Sequence, residues 1–210
     1  MVAAMSEQGS EAWKQERSGL WTASRFAGLI AADKKTGKPL KSRADAIWNC
    51  VVERMTGQPA DSAGGFSLQW GTDVEPAARE AFELETGKVV HQVGFIQHPR
   101  YAFAGASPDG LIGDDEGLEL KSPYSSSVHL SRFLDGVPSE YLIQIHGCMW
   151  VTGRSKWYFA SFDPRMPTSH RLLIIPVLRD ETLIAAIEAA VLAAEDEAVD
   201  LQQRLERMVA

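Results

Sequence analysis

The sequence predicts a mixed α/β fold, a central mixed β-sheet covered by helices, and three observations carry that prediction. Apolar residues recur at helical spacing through residues 11 to 86 and again from 180 to 208. Short runs rich in β-branched and aromatic residues fill 89 to 121 and 155 to 178. Gly, Pro and Asp mark the boundaries between them. A chain of 210 residues can bury a substantial core, and one domain is expected. Its parts are an N-terminal helical region (11–87), a sheet core (89–178) and a C-terminal acidic helix (180–208).

Taken in order, residues 11 to 30 predict two short helices. Thr22 or Ser24 is placed to cap the second, whose apolar face holds Phe26, Leu29 and Ile30. A polar loop, DKKTGKPLK, follows at 33 to 41. Residues 42 to 56 predict a helix with Ser42 as N-cap and Gly57 just past its end. Residues 66 to 86 are mostly helical and stop at Gly87. The period then changes, and 89–97, 101–104, 109–113 and 117–121 read as strands separated by turns such as HPR and GDDEG. Residues 125–134 and 138–152 return to helical spacing, SKWYFASFD and HRLLIIPVL read as two more strands, and 180–208 is one long amphipathic helix.

Composition excludes several classes. With 45% hydrophobic and 23% charged residues the chain is neither disordered nor fibrous. The N-terminus lacks the basic and apolar regions of a signal peptide, and the longest apolar stretch, Leu183 to Ala194, is interrupted by Glu188 and is far shorter than a membrane span. A cytoplasmic location without membrane partners is the expectation. Cys50 and Cys148 lack the paired spacing of a zinc site and read as buried thiols. His91, His98, His129, His146 and His170 show no ligand spacing. The net charge of -7 opposes a nucleic-acid partner at first sight. Residues 180 to 210 hold eight acidic and two basic residues, however, so nearly all of that excess lies in one terminal segment.

The chemistry is carried by Ser107-Pro108-Asp109-Gly110 followed by Gly117-Leu118-Glu119-Leu120-Lys121. A hairpin closed by the GDDEG turn brings Asp109 and Glu119 side by side. Two carboxylates ~4 Å apart repel by about 1 kcal/mol in water and about 4 kcal/mol at a protein surface, so a cation is needed between them. Hard oxygen ligands at an open site suit Mg²⁺ or Mn²⁺. Glu119 and Lys121 are two residues apart on a strand and share a face, which places the ammonium beside the metal. The Leu120 carbonyl is available as a further ligand. ExK alone is also what an ordinary solvated strand face contains. It is the order of PDG, hairpin and ELK that makes a metal-dependent nuclease site of the PD-(D/E)xK type the reading.

The chain also resembles the phage lambda exonuclease family, within the YqaJ-like viral recombinases. The resemblance runs through EAWKQERSGLWTAS, QWGTDVEPAAREAFE, AGASPDGLI, GLELKSP, EYLIQIHGCMWVTG and KWYFASFDPRM. It implies a restriction-endonuclease-like core in which Asp109 and Glu119 bind metal and Lys121 is the catalytic lysine. Glu75 becomes a further acidic residue of the metal site, Gln144 a glutamine beside it, and Tyr141 a neighbour one turn earlier. Arg17, Ser24 and Ser107 match a pocket for the 5′-phosphate of a DNA end, and a guanidinium with two hydroxyls suits an anion. Two metal ions are implied, one held by Asp109, Glu119 and the Leu120 carbonyl, the other bridged by Asp109 near Glu75. The implied activity is 5′ to 3′ digestion of one strand of duplex DNA to mononucleotides, in a bacterial or phage setting. The implied assembly is a homotrimeric ring, and the implied partner a single-strand annealing recombination protein.

Each residue has a plainer alternative. Glu75 could close a capping box with Thr72 or be an N-cap before Pro76. Arg17 could be a surface charge, Ser24 only an N-cap, and Gln144 an amide tying helix to sheet. Lys34 and Lys35 could touch DNA backbone or be merely solvated. A structure-specific endonuclease on the same core and a non-catalytic DNA-end-binding subunit are the rival functions.

Overall fold

The computed structural model describes residues 6–31, 36, 38, 40–60 and 65–209. Lys34 and Lys35 lie outside the described residues. In chain order the elements are α1 (Glu11–Glu16), β1 (Trp21–Thr22), α2 (Ala23–Ile30), α3 (Lys41–Thr56), α4 (Phe66–Thr86), β2 (Ile96–Gln97), β3 (Ala104–Ala106), β4 (Gly110–Ile112) and β5 (Glu116–Lys121). There follow α5 (Ser126–Asp135), α6 (Ser139–Thr152), β6 (Lys156–Phe162), β7 (Leu172–Leu178) and α7 (Glu181–Val209).

The fold is of the α/β class, but the strands form two sheets rather than the expected single one. The larger has the order β4-β5-β6-β7 and the smaller β1-β3-β2. In the larger, β4–β5 and β6–β7 are antiparallel, while β5 and β6 run parallel, joined through α5 and α6. That parallel pair needs a long crossover, which the two helices supply.

The strand alternation sorts the core into two layers. Trp157 and Phe159 of β6 pack with Phe26, Ile47, Met149 and Val191, under α2, α3, α6 and α7. Tyr158, Ala160 and Phe162 point the other way and meet Leu118 and Leu120 of β5 with Val74, Ala78 and Phe82 of α4. Leu118 and Leu120 therefore anchor β5 on the α4 side, which leaves Glu119 to face α6. Where α6 crosses α2 the contact is close. A Cβ on Gly147 would fall 2.5 Å from the Phe26 ring.

The helix ends at Gly57 and Gly87 are as expected, both in the left-handed region (φ 65° and 66°). Other boundaries differ. The N-cap of α3 is Leu40 and the helix begins at Lys41, so Ser42 lies inside the first turn, where a Lys41–Asp45 ion pair supports it. Thr22 occupies the N-cap of α2 without a side-chain capping bond. The hydroxyls of Thr22 and Ser24 instead face each other at 3.2 Å and receive Arg17. The strand expected over 89–97 shrinks to Ile96–Gln97, with an isolated bridge between His91 and Leu111. The strand expected at 101–104 is displaced to 104–106. The reason is His98, whose Nδ1 accepts the backbone N–H of both Arg100 and Tyr101 at 3.1 Å and holds a turn there.

Glu75 neither caps a helix nor closes a capping box, because α4 runs unbroken through it with Pro76 inside. The C-terminal acidity is largely spent internally. Glu195 receives Trp21 Nε1 at 2.7 Å and Arg54 at 2.6 Å, Glu197 receives Arg43, and Glu188 receives Arg100 and Tyr101. Cys50 and Cys148 are buried and free. No helix among the described residues is long and apolar enough to cross a membrane.

Candidate active site

A cleft of about 470 Å³ opens between α4, the end of β5, α5 and α6. Glu75, Asp109, Leu120, Lys121, Tyr141 and Gln144 all line it. Register explains part of this. Gly110 pairs with Leu118, so the residue before it, Asp109, stands beside Glu119 at the open end of the hairpin. Asp109 Oδ2 accepts the backbone N–H of Leu120 at 2.6 Å, which fixes the loop to the strand.

Glu119 lies beneath the cleft and is fully buried. Its Oε1 accepts from Gln144 Nε2 at 2.6 Å and from the Lys121 ammonium. Its Oε2 is buried with no hydrogen-bond partner. Burial first, and then the charges of Asp109 and Glu75, push its pKa up to about 7, against the pull of Lys121. Burial draws the Lys121 ammonium the other way, but the charges of Glu119 and Asp109 outweigh it and hold Lys121 above the ordinary lysine value. Lys121 also lies 5.1 Å from the Tyr141 ring, which stacks on Phe159.

Glu75 reaches the cleft from α4 and is held by Arg79 at 2.5 Å. Burial and the nearby Asp109 charge raise its pKa. Three carboxylates thus feel one another at one cleft, and the most deeply placed leaves an oxygen unsatisfied. A buried, unpartnered carboxylate oxygen costs of order 1–3 kcal/mol. A divalent cation would remove that cost, and the hard-oxygen donors Asp109, Glu119 and the Leu120 carbonyl suit Mg²⁺ or Mn²⁺. Among the described residues, no three or more His, Cys, Asp or Glu side chains are grouped so as to hold a metal by themselves. Glu75 is turned to Arg79, so the remaining positions fall to the carbonyl, water or a substrate oxygen.

Arg17, Ser24 and Ser107 do not line this cleft; they meet in a second cluster. The Arg17 guanidinium lies 3.8 Å from the Trp13 ring centre and 3.3 Å from Ser24 Oγ, with Thr22 Oγ1 at 3.5 Å. Trp13 Nε1 donates to Ser107 Oγ at 3.0 Å, which ties the cluster to the segment leading into Asp109. Arg17 Nε is buried without a partner, and no carboxylate is within ion-pair distance of Arg17 among the described residues. The neighbouring Arg25 differs: it is clamped by the buried Glu53 at 2.5 and 2.9 Å. Burial, then repulsion from Arg25, lowers the Arg17 pKa to about 10, so it remains charged at neutral pH. Trp13 escaped the sequence reading, although its spacing of four from Arg17 is the helical signal for a shared face.

Comparison with known proteins gives the family and the fold. The family model described as YqaJ-like viral recombinase domain matches residues 12–155. Two structures of LHK-Exo, an alkaline exonuclease from Laribacter hongkongensis, are 36% identical to this chain, with TM-scores of 0.86 and 0.85. They cover 95% of this chain and 98% of their own, and one is in complex with dAMP. A phage-related exonuclease from Haemophilus somnus 129PT shares the fold at 16% identity and a TM-score of 0.68, covering 90% of this chain and 96% of its own. A protein of Escherichia coli K12 called ExoD is 35% identical over 57 residues, 27% of this chain, which spans 64% of the length of ExoD. The chain belongs to the YqaJ-like viral recombinase family, the lambda-exonuclease group of alkaline exonucleases, and its role is that of a nuclease.

Proposed function

We propose that this chain is a metal-dependent exonuclease that digests one strand of linear duplex DNA from its 5′ end, releasing mononucleotides. The observation that carries the reading is the buried Glu119, with one free oxygen, beside Asp109 and Lys121 at the floor of an open cleft. Bound between Asp109 and Glu119, Mg²⁺ or Mn²⁺ would supply a polarised water and a counter-charge for the departing 3′-oxygen, with room for a second ion toward Glu75.

The protein's own groups have distinct tasks. Gln144 and Lys121 hold Glu119 Oε1, which leaves Oε2 to face the ion. Lys121, kept protonated by its carboxylate neighbours, positions the attacking water and offsets charge on the phosphate as it is attacked. Tyr141 backs the lysine. Arg17, Ser24 and Ser107, joined through Trp13, receive the terminal 5′-phosphate and so set which bond lies over the carboxylates. The LHK-Exo complex with dAMP fits this reading, because a mononucleotide is the product such a reaction leaves. A 3′ overhang would serve a single-strand annealing partner, and a homotrimeric ring would keep the enzyme on its strand.

The test uses linear duplex with Mg²⁺, each strand 5′-labelled in turn, beside a closed circle. Labelled mononucleotide should appear first from 5′ ends, and the circle should stay intact. Rapid cutting of the circle would overturn end-dependence, and nucleotide release surviving in Asp109→Ala would overturn the assignment of the site.

A further inference from the structure

Arg132, on α5, is a buried cation without a counter-ion among the described residues. It is 5% exposed, its Nε has no partner, and among the described residues it makes no ion pair. Its NH1 donates to Ser161 Oγ at 2.9 Å, and its guanidinium lies 5.4 Å from the Tyr141 ring and 5.5 Å from Phe159. The Ser161 hydroxyl brings no charge. His129 Nε2 lies 2.7 Å from the His170 carbonyl and must donate to it, so Nδ1 accepts the Ser161 proton at 2.8 Å, and Ser161 in turn accepts from Arg132. Glu140 contributes its field from beyond ion-pair distance, with Tyr141 as a nearer polar neighbour. Arg25 and Arg54, by contrast, each have a carboxylate partner, Glu53 and Glu195. A buried charge left unpaired is among the costlier arrangements in a protein.

Its location shows what would relieve the cost. Arg132 lines the same cleft as Asp109 and Lys121, and so does Ser122, whose Oγ is buried without a partner. Ser161 is opposite Lys121 in the β5–β6 register, whereas Asp109 lies on the β4 side of β5. The carboxylates thus lie between Arg132, tied to Ser161 on the β6 side, and the Arg17–Trp13–Ser107 cluster, tied to the segment that leads into Asp109. Strands are ~4.8 Å apart, so β4 to β6 spans roughly 10 Å, enough to address more than one phosphate. We infer that Arg132 and Ser122 form a second anion subsite, which takes a backbone phosphate of the digested strand inward of the bond being cut. This rests on the nuclease reading above. A phosphodiester carries one negative charge and accepts hydrogen bonds without returning any, which suits a guanidinium with an unpartnered Nε–H and no counter-charge, and a hydroxyl without a partner.

The experiment compares wild type, Arg132→Met and Arg132→Lys for binding of a 5′-phosphorylated blunt duplex by anisotropy. Ca²⁺ replaces Mg²⁺, strand integrity is checked by gel, salt is titrated, and Tm is measured without DNA. Arg132→Met should weaken binding on the order of tenfold. It should also reduce the slope of log affinity against log salt by about 0.9, the signature of one lost phosphate contact. Its Tm should hold or rise, since a buried unpaired charge has become apolar, and Arg132→Lys should retain the slope. Wild-type affinity and slope in Arg132→Met would overturn the subsite while leaving the nuclease reading intact. A large drop in Tm for both variants would also overturn it, by showing a structural guanidinium. Failure of wild type itself to bind duplex would overturn both.

Discussion

Replacing Glu119 by Gln in the metal-free protein should change how stability depends on pH. Glu119 titrates near 7 in the fold and near 4.5 in an unfolded chain, because burial and two neighbouring carboxylates disfavour its charge. A raised pKa means the folded state binds this proton more tightly. The stability it contributes is present in full below pH 4.5 and is lost as pH rises through 7. A difference of about 2.5 units corresponds to about 3 kcal/mol at this one group. For a chain of this length that is roughly 6–12 °C in Tm. Denaturant melts in EDTA from pH 4 to 9 read it directly. Relative to Glu119→Gln, wild type should lose about 3 kcal/mol between pH 4.5 and 7 and stay level above that. The comparison is of slopes, so any fixed cost of placing an amide there cancels. Mg²⁺ added at pH 8 should recover wild type, by about 2.7 kcal/mol at one hundred times its dissociation constant, and leave the variant unmoved. Parallel pH profiles for the two proteins would refute the argument that the carboxylate is held in wait for a cation.

Three further outcomes follow from the same geometry. Lys121→Ala should lower kcat by about 10²- to 10³-fold with KM little altered. It should also move the acidic limb of the rate profile to higher pH, since Glu119 loses its nearest positive charge; steady-state kinetics from pH 6 to 10 check both. Arg17→Ala should cost about 10- to 100-fold on 5′-phosphorylated ends and far less on 5′-hydroxyl ends, measured on the two substrates side by side. Gly147→Ala should lower Tm by roughly 3–10 °C in calorimetry, because its methyl would meet the Phe26 ring.

What the sequence made legible was mostly local. Helix periods and the two αL glycines placed α3, α4, α6 and α7 to within a few residues, and two-residue alternation put Glu119 and Lys121 on one face. Short strands were harder. β1 has two residues and β3 three, too few to show a period, so the second sheet could not be foreseen. The turn that displaced β3 depends on a histidine ring accepting two backbone N–H groups, a bond without a sequence pattern. Trp13 and Ser107 meet across 94 residues, and Arg132 reaches the cleft only because α5 folds back over β6. The resemblance supplied the grouping of Arg17, Ser24 and Ser107, which spacing alone could not. Net charge is silent on partners for a related reason: the acidic residues of α7 are engaged with Arg43, Arg54 and Arg100, which no count of charges reveals.

Pro76 carries a consequence for how the cleft accepts a strand. Proline has no amide hydrogen, so the Thr72 carbonyl is without its helical donor one turn back, and α4 lacks a rung beside Glu75. C-terminal to that gap the helix is moored by Ala78 and Phe82, while the turns before it bury no side chain until Val74. Mechanically the rear half of α4 is bolted to the sheet, while the front half leans on Tyr124 through the edges of Phe66 and Trp70. A helix missing a rung bends there at least cost, so any bend in α4 would fall at the rim of the cleft and leave its rear half in place.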